Sequence, residues 1–388
     1  MQKKIIALAI AAAVSAPAFA DTSNVTVYGV ANVSYDMTRT GNNTAGVAGF
    51  SNNKVSSNTS RLGLKGSEDL GDGLSAIWQI ETLIQIDGGA CTAPGVCPAQ
   101  TLANRNTFAG LSSTTAGTVL LGRHDTPYKI ATRAMDVFGD QIADNRSIMG
   151  SGGASFDGRQ PDVVAYISPA MSGFTGAIAY VAGAESQTAT TQTKGSAWSL
   201  AGLYGNGPLN INAGYEVHNI GSAAGSIGIV GLTKTVKETA WKIGASYTID
   251  AFTINGVYEK TSDDFGGQVA LGTALLPAGV DVLGHNAYYL SGKYAFGSNA
   301  VKLAYTHAGN LNMGGTVASA NTGANQISVG FDHNLSKRTT VYALYTQLNN
   351  KSAGAYTLGN ASIGNGAVFN NGAGSKPSAV SLGMKHTF

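Results

Sequence analysis

Side chains that could carry out acid–base, nucleophilic or metal chemistry are dispersed along the chain. No two histidines stand at a metal-binding spacing, and no Gly-x-Ser-x-Gly elbow or phosphate-binding loop stands out. His386 with a neighbouring serine is a faint candidate for a hydrolase that faces lipid, but an interfacial role beside Phe388 explains this histidine better. We therefore expect no enzyme, no cofactor and no metal site. The histidines are His124, His218, His285, His307, His333 and His386.

Charged residues are sparse, at 12% of the 388 residues, yet residues 126–160 are rich in them. A solvated loop whose charges only confer solubility is one reading of this stretch. Lys3 and Lys4 account for the net charge of +2, so the rest of the chain is neutral and gives no reason to expect nucleic-acid binding. The charged residues of the stretch are Lys129, Arg133, Asp136, Asp140, Asp144, Arg146, Asp157 and Arg159.

The first twenty residues predict an export signal. Lys3 and Lys4 form a basic start, residues 5–14 form an apolar run, and residues 18–20 form a small-residue cleavage motif. We expect a signal peptide over 1–20 and a single mature domain over 21–388. No later stretch has the roughly 18 consecutive apolar residues that a transmembrane helix needs, so any membrane crossing must use strands.

The two cysteines, Cys91 and Cys97, enclose the sequence Thr-Ala-Pro-Gly-Val. In a chain exported to an oxidising compartment, this spacing favours a small disulfide-closed loop over two exposed free thiols. A zinc site is improbable because no histidine or second cysteine pair is near.

Segments of about ten residues rich in aromatic and β-branched side chains recur along the chain. We count sixteen, the first near Asn24–Tyr35 and the last near Ser378–Phe388. Short turns such as 70–73 alternate with long polar loops such as 41–57, as in outer-membrane barrels. Barrels of about 16 to 18 strands enclose an aqueous channel. The sequence therefore predicts an all-β, 16-stranded antiparallel transmembrane barrel, although composition alone also permits a secreted soluble all-β protein.

Alternation within the strands separates two faces. In residues 239–247, Trp241 and Ile243 point one way and Lys242 points the other. A small soluble barrel would turn its apolar face inward, whereas a membrane barrel turns it toward lipid. The export signal, the strand count and the C-terminal strand favour the membrane barrel.

The same alternation assigns several basic residues to the interior. Arg61 and Lys65 lie opposite Leu62 and Leu64, and an arginine on the lipid face at the midplane would cost about 2 to 4 kcal/mol. We therefore expect both cations to face the lumen.

Two further arginines are assigned with the same rule. Arg105 is opposite in parity to Phe108, which predicts a lumenal position. Arg123 shares the parity of Leu121 and contradicts the rule, unless a bulge or the strand end re-aims its side chain.

The last strand ends on an aromatic residue. Val380, Leu382, Met384, His386 and Phe388 alternate on one face. This pattern resembles the assembly signal of outer-membrane proteins, in which a terminal phenylalanine and alternating apolar residues are read by the barrel-assembly machinery. An ordinary amphipathic strand is the alternative.

Several stretches give the chain a resemblance to the general trimeric porins of β-proteobacteria such as Neisseria, Burkholderia and Bordetella. The matching stretches are Val27-Tyr28-Gly29, residues 60–74, residues 104–111 and Leu121-Gly122-Arg123 with Thr126-Pro127. The resemblance covers nearly the whole mature chain, and residues 60–74 are its most specific part. It implies a homotrimer in the outer-membrane lipid, with one pore per subunit and the third loop, about 126–160, folded into the lumen as a constriction.

These features together predict a water-filled channel for passive diffusion of ions and small hydrophilic solutes. Strand arginines would face loop carboxylates such as Asp136 and Asp140, and an excess of basic residues there favours a mild anion preference. A substrate-specific channel with a binding track and, less favoured, a surface adhesin or structural barrel are the alternatives. The candidate constriction residues are Arg61, Lys65, Arg105, Arg123, Lys129, Arg133, Asp136, Asp140 and Arg146.

Overall fold

A computed structural model describes most of the chain after the N-terminal segment. The described residues are 24–88, 102–151, 156–183, 195–221, 235–266, 270–271, 274–275, 279–313, 320–359 and 372–388. The predicted signal peptide and the predicted Cys91–Cys97 disulfide lie outside them.

Antiparallel β-strands dominate the described residues. None of the helices described is both long enough and apolar enough to cross a membrane. The helical elements are α1 (Pro127–Arg133) and a 3-10 turn (Asn145–Ser147). The strands are β1 (Asn24–Arg39), β2 (Ser51–Ser57), β3 (Arg61–Gly71), β4 (Leu74–Leu83), β5 (Thr107–Ser113), β6 (Gly117–Asp125), β7 (Arg159–Ile167), β8 (Phe174–Val181), β9 (Ser196–Asn206), β10 (Leu209–Ile220), β11 (Val236–Ile249), β12 (Phe252–Asp263), β13 (Ala270–Leu271), β14 (Ala274–Leu275), β15 (Asn286–Phe296), β16 (Asn299–Ala308), β17 (Ala324–Asn334), β18 (Thr339–Asn350) and β19 (Ser378–Thr387).

The sheet closes into a barrel because β1 pairs with β19. On its other edge, β1 pairs with β2 along its C-terminal half and with β3 along its N-terminal half. The segments β2 and β3 are therefore two parts of one barrel strand, and β13 and β14 form a separate small hairpin. The fold is a closed barrel of 16 antiparallel strands, as the sequence predicts.

The predicted loop over 41–57 is too long, because residues 51–57 form β2. The strand then breaks at residues 58–60, where Thr59 has a positive φ of 55°. Asn32 of β1 fastens the break, since its backbone N–H donates to the Ser60 hydroxyl and its carbonyl accepts from the Asn58 N–H. A contact with the Ser60 side chain thus takes the place of a regular backbone hydrogen bond between the strands. Because the contact is polar, the alternation of apolar residues in the sequence does not reveal this break.

Short turns lie at one end of the barrel and long connections at the other. We call these the short-turn end and the long-loop end. The turn between β3 and β4 takes Gly71, Asp72 and Gly73 through positive φ values of 89°, 51° and 73°, a conformation that glycine adopts without a steric penalty. The alternation of short and long links follows the predicted pattern.

The two faces of the wall differ in polarity. Outward side chains such as Trp241, Ile243 and Leu303 are apolar and exposed, whereas Lys242 and Lys302, on inward positions, are buried. An exposed apolar band around a closed barrel is the surface that lipid covers. The predicted alternation therefore corresponds to a lipid face and a lumenal face.

Candidate pore constriction

The connection between β6 and β7 carries most of the clustered charge. It begins with α1, whose N-cap Thr126 accepts from the Lys129 N–H and whose first residue is Pro127, a good starting residue for a helix. The helix ends at Arg133, and the 3-10 turn is capped by Asp144, which accepts from the Arg146 N–H. We call residues 126–158 the inward segment.

Apolar side chains of the inward segment pack on the inner wall. Tyr128, Phe138, Ile148 and Phe156 are fully buried, and Phe138 belongs to a cluster that includes side chains of β12, β15, β16, β17 and β18. Burial of this apolar surface holds the segment against the wall.

Inward glycines make room for these side chains. A Cβ atom added at Gly330 would lie 2.7 Å from the Phe138 ring, and one added at Gly214 would lie 3.2 Å from the Tyr128 backbone. The wall is therefore shaped to accept the inward segment.

Polar contacts fix the segment to strands around the circumference. Tyr128 N–H donates to the Ser199 hydroxyl of β9 at 2.9 Å, and the Asn212 amide of β10 donates to the Ala131 carbonyl at 2.8 Å. Further hydrogen bonds come from β1, β15 and β17: Asn32 donates to the Asp140 carbonyl, Tyr289 to Asp136 and Gln326 to the Ala143 carbonyl. Because the attached strands lie on different sides of the barrel, the segment crosses the lumen.

Two arginines and three aspartates form a cluster within the inward segment. Arg133 Nη2 lies 2.8 Å from Asp140 and 2.7 Å from Asp144, and Arg146 Nη2 lies 3.2 Å and 2.8 Å from the same two carboxylates. Asp136 lies 3.6 Å from Arg133 Nη1 and accepts from the N–H groups of two neighbours in the segment. Ion pairing within the segment thus largely neutralises its own carboxylates.

The environment of this cluster separates the pKa values of its aspartates. Burial opposes ionisation of Asp144, but Arg133 and Arg146 outweigh it and hold the pKa of Asp144 well below its usual range. Burial and the charge of Asp144 raise the pKa of Asp136 to about 6, since Arg133 offsets them only in part. Asp136 is therefore the aspartate of the cluster that changes charge near neutral pH.

A second cluster lies on the wall of β3 and β4. Glu81 accepts from Arg105 Nε at 2.6 Å and from the Tyr28 hydroxyl at 3.0 Å, and it lies 3.7 Å from Arg61 Nε. Arg61 also lies 3.7 Å from Asp140. Arg61 thus joins the wall cluster to the inward segment by direct contact.

The structure brings together six of the nine candidate constriction residues. Lys65 is exposed on the inner face, 5.4 Å from the centre of the Tyr28 ring. Lys129 pairs with Asp125 at 2.8 Å, outside the cluster. The residues brought together are Arg61, Arg105, Arg133, Asp136, Asp140 and Arg146.

Arg123 stands apart from both clusters. Its Nε donates to the Asn104 carbonyl at 3.0 Å, and the pairing of β6 with β7 shifts register between Gly122 and His124. Because the ladder is irregular at this point, simple parity does not determine on which face Arg123 lies.

Sequence reasoning missed several inward groups. Glu81 was absent from the candidates, although its parity opposite to Ile80 could have found it. The contacts of Lys242 with Asp157 and of Lys302 with Asp332 were also missed, at 2.7 Å and 2.8 Å. Alternation within each strand carries the signal for such residues, whereas their partners lie far away in sequence.

No arrangement typical of catalysis is found in the described part of the chain. His386 contacts the Thr339 hydroxyl at 2.8 Å, rather than a serine. Among the described residues, no group of three or more His, Cys, Asp or Glu side chains is placed to hold a metal ion.

A closed barrel with an apolar outer band, a charged interior and a segment across its lumen is the architecture of a membrane channel. The chain belongs to the Gram-negative porin family, whose model matches residues 7–353. It is an outer-membrane protein that forms a channel for passive diffusion, and it is not an enzyme.

Individual relatives are also outer-membrane proteins, in agreement with the family. The outer membrane porin protein 32 of Delftia acidovorans is 28% identical over the full length of both chains. The major outer membrane protein P.IA of Neisseria meningitidis serogroup B is 30% identical over 86% of this chain and 83% of its own. Among solved structures, an anion-selective porin from Comamonas acidovorans is 26% identical with a TM-score of 0.74, covering 95% of this chain and 100% of its own.

Proposed function

We propose that this channel favours anions, and that the inward segment with Arg61 and Arg105 forms its narrowest section. The observation that carries the proposal is a difference in pairing. The carboxylates of the two clusters at the proposed constriction are paired with cations, whereas three lysines on the inner wall have no acidic partner among the described residues.

The two clusters at the proposed constriction are formally neutral when all their groups are ionised. Four arginines are balanced by Glu81 and three aspartates. Two further inward carboxylates are also compensated, since Asp157 pairs with Lys242 and Asp332 with Lys302. A passing cation therefore meets few unpaired negative charges there.

Three lysines add positive charge to this neutral centre. Lys65, Lys293 and Lys385 stand at inward positions of β3, β15 and β19. Their ammonium groups have no carboxylate within ion-pair distance in the part of the chain that the structure describes. At about 0.1 M salt the Debye length is about 10 Å, so fixed charges on the wall act on ions that pass close to them.

The similarity to the anion-selective porin from Comamonas acidovorans supports this direction of selectivity.

The experiment that tests the anion preference is the reversal potential of the reconstituted protein in a KCl gradient at low ionic strength. We expect anion preference, and we expect the triple variant K65Q/K293Q/K385Q to shift toward cations.

The variant K237Q/K260Q is the matched control, because both lysines are exposed on the outer face. It should keep the selectivity of the unmodified protein. Cation preference of the unmodified protein, or equal shifts in the two variants, would contradict the proposal.

We also propose how the chain is processed and assembled in the outer membrane. Cleavage after Ala20, a homotrimer with one pore per subunit, and recognition of Phe388 by the barrel-assembly machinery agree with the export signal and with the family. The small hydrophilic solutes that cross the pore would enter at the long-loop end. Migration of the unheated protein as a monomer on gentle electrophoresis would contradict the trimer.

A further inference from the structure

A cavity of about 280 Å³ lies among the connections at the long-loop end. Its walls come from the connections that follow β12, β16 and β18, together with Ser151 of the inward segment. None of the described residues that line it is charged, so it differs in chemistry from the ion-paired constriction. Its lining includes Leu283, His285, Leu311, Met313, Ala353 and Tyr356.

His285 is the polar residue whose hydrogen-bonding capacity determines how a ligand would be oriented in this cavity. Its side chain is 3% exposed, and its Nδ1 lies 3.2 Å from both the Leu283 carbonyl oxygen and the Thr261 hydroxyl oxygen. A carbonyl only accepts, and the Thr261 hydroxyl can accept as well while it donates its own hydrogen to the His285 carbonyl. A proton on Nδ1 therefore satisfies both contacts, and Nε2 is left with a lone pair. Nε2 is buried and has no hydrogen-bond partner among the described residues.

A buried acceptor without a donor is costly unless something pairs with it. The Tyr356 ring lies edge-on to His285, with its centroid 6.4 Å away at an interplanar angle of 68°. Apart from the hydroxyl groups of Ser151 and Thr322, the rest of the described lining is aliphatic or thioether. Such walls favour a flat apolar molecule, and Nε2 favours one that bears a single N–H or O–H donor.

The size of the cavity narrows the class of ligand. A dry cavity of about 150 Å³ takes up benzene, so the larger volume here fits a bicyclic ring. The described lining carries no charged residue, which disfavours an ionised ligand because its charge would be left without a partner there.

From these observations we infer that the long-loop end carries a binding site for neutral bicyclic heteroaromatic molecules whose N–H donates to His285 Nε2. The site would concentrate such molecules beside the channel entrance. It does not depend on the anion preference of the pore.

The test is equilibrium dialysis of radiolabelled indole against the full-length protein in detergent. 1-Methylindole is the matched ligand, because it keeps the ring and lacks the donor. Two variants remove the site: H285F takes away the acceptor, and A353L adds bulk to the wall. A320L is the matched protein control, since Ala320 is exposed in the same connection as Leu311 and does not line the cavity.

We expect saturable binding of one indole per chain, about tenfold weaker binding of 1-methylindole from loss of one hydrogen bond, and loss of binding in H285F and A353L. A320L should bind like the unmodified protein. Protein-free micelles give the partition of each ligand into detergent, which is subtracted, and heat-dependent electrophoretic mobility shows whether each variant is folded. Non-saturable uptake, equal affinity for both ligands, or unchanged binding in the folded variants would overturn the inference.

Discussion

Asp140 is the residue at which the inward segment meets the barrel wall. Its backbone has a positive φ of 62°, a conformation that aspartate tolerates better than most residues. Its carboxylate contacts Arg133, Arg146 and Arg61, and its carbonyl accepts from Asn32. One residue thus links the charge of the segment to that of the wall.

The raised pKa of Asp136 predicts a pH-dependent selectivity. Because the pKa of Asp136 is raised to about 6, the constriction loses negative charge as pH falls from 7 to 5. The anion-to-cation permeability ratio should therefore rise with a midpoint near pH 6. The measurement is the reversal potential in a fixed KCl gradient at successive pH values.

The control for this effect is D136N, which keeps the shape of the neutral carboxyl group and removes its titration. This variant should lack the step near pH 6, while slower drifts from other groups remain. An identical pH profile in the two proteins would rule out Asp136 as the titrating group.

Residue positions were more predictable than residue partners. Parity alone placed Arg61 and Lys65 on the inner face, because a strand alternates its side chains strictly. Parity could not pair Arg133 with Asp144, since their contact depends on a non-repetitive backbone folded against distant strands. Nor could it place Arg123, where the strand pairing shifts register.

At the scale of elements, the inward segment depends on glycines of the wall. In G330A the new methyl group would meet the Phe138 ring, and overpacking of this kind costs about 1 to 3 kcal/mol. We expect the segment to move toward the pore axis, with a lower single-channel conductance. G292A is the control, since nothing lies within 4 Å of its added Cβ; equal conductance changes would contradict this account.

The terminal strand closes the barrel through Phe388. Its backbone exchanges hydrogen bonds with Gly29 of β1 at 2.9 Å and 3.1 Å. We expect F388A to lower the amount of folded protein in the outer membrane, measured by the heat-modifiable band in membrane fractions. F296A removes another exposed aromatic near the short-turn end and serves as the control. Equal yields of F388A and the unmodified protein would count against an assembly role.

Strands were predicted well as elements because their two-residue alternation and their turn residues are local signals. The strand β2 was missed because Ser51, Asn52, Asn53 and Lys54 lack an apolar pattern, and β1 supplies their pairing. The course of the inward segment likewise depends on ties to several strands, which no local pattern encodes.

At the scale of the whole molecule, the charges at the proposed constriction balance one another, whereas the inner wall carries lysines without an acidic partner among the described residues. The chain beyond its first residues has equal numbers of acidic and basic side chains, so net charge says nothing about selectivity. The distribution matters instead, because the clusters at the proposed constriction are neutral through ion pairing, whereas Lys65, Lys293 and Lys385 are uncompensated positive charges on the inner wall. A channel can therefore discriminate between ions without a large total charge.

The central claim is that the inward segment narrows an otherwise open, water-filled pore. Ala134, next to Arg133, is exposed within this segment, so a cysteine there should be reachable from the lumen. The decisive measurement is the single-channel conductance of A134C before and after reaction with a bulky methanethiosulfonate reagent, with A320C on a long connection as the control. We predict steady conductance before reaction, a stepwise loss of current in A134C and no loss in A320C. Complete labelling of A134C with unchanged conductance would contradict the account.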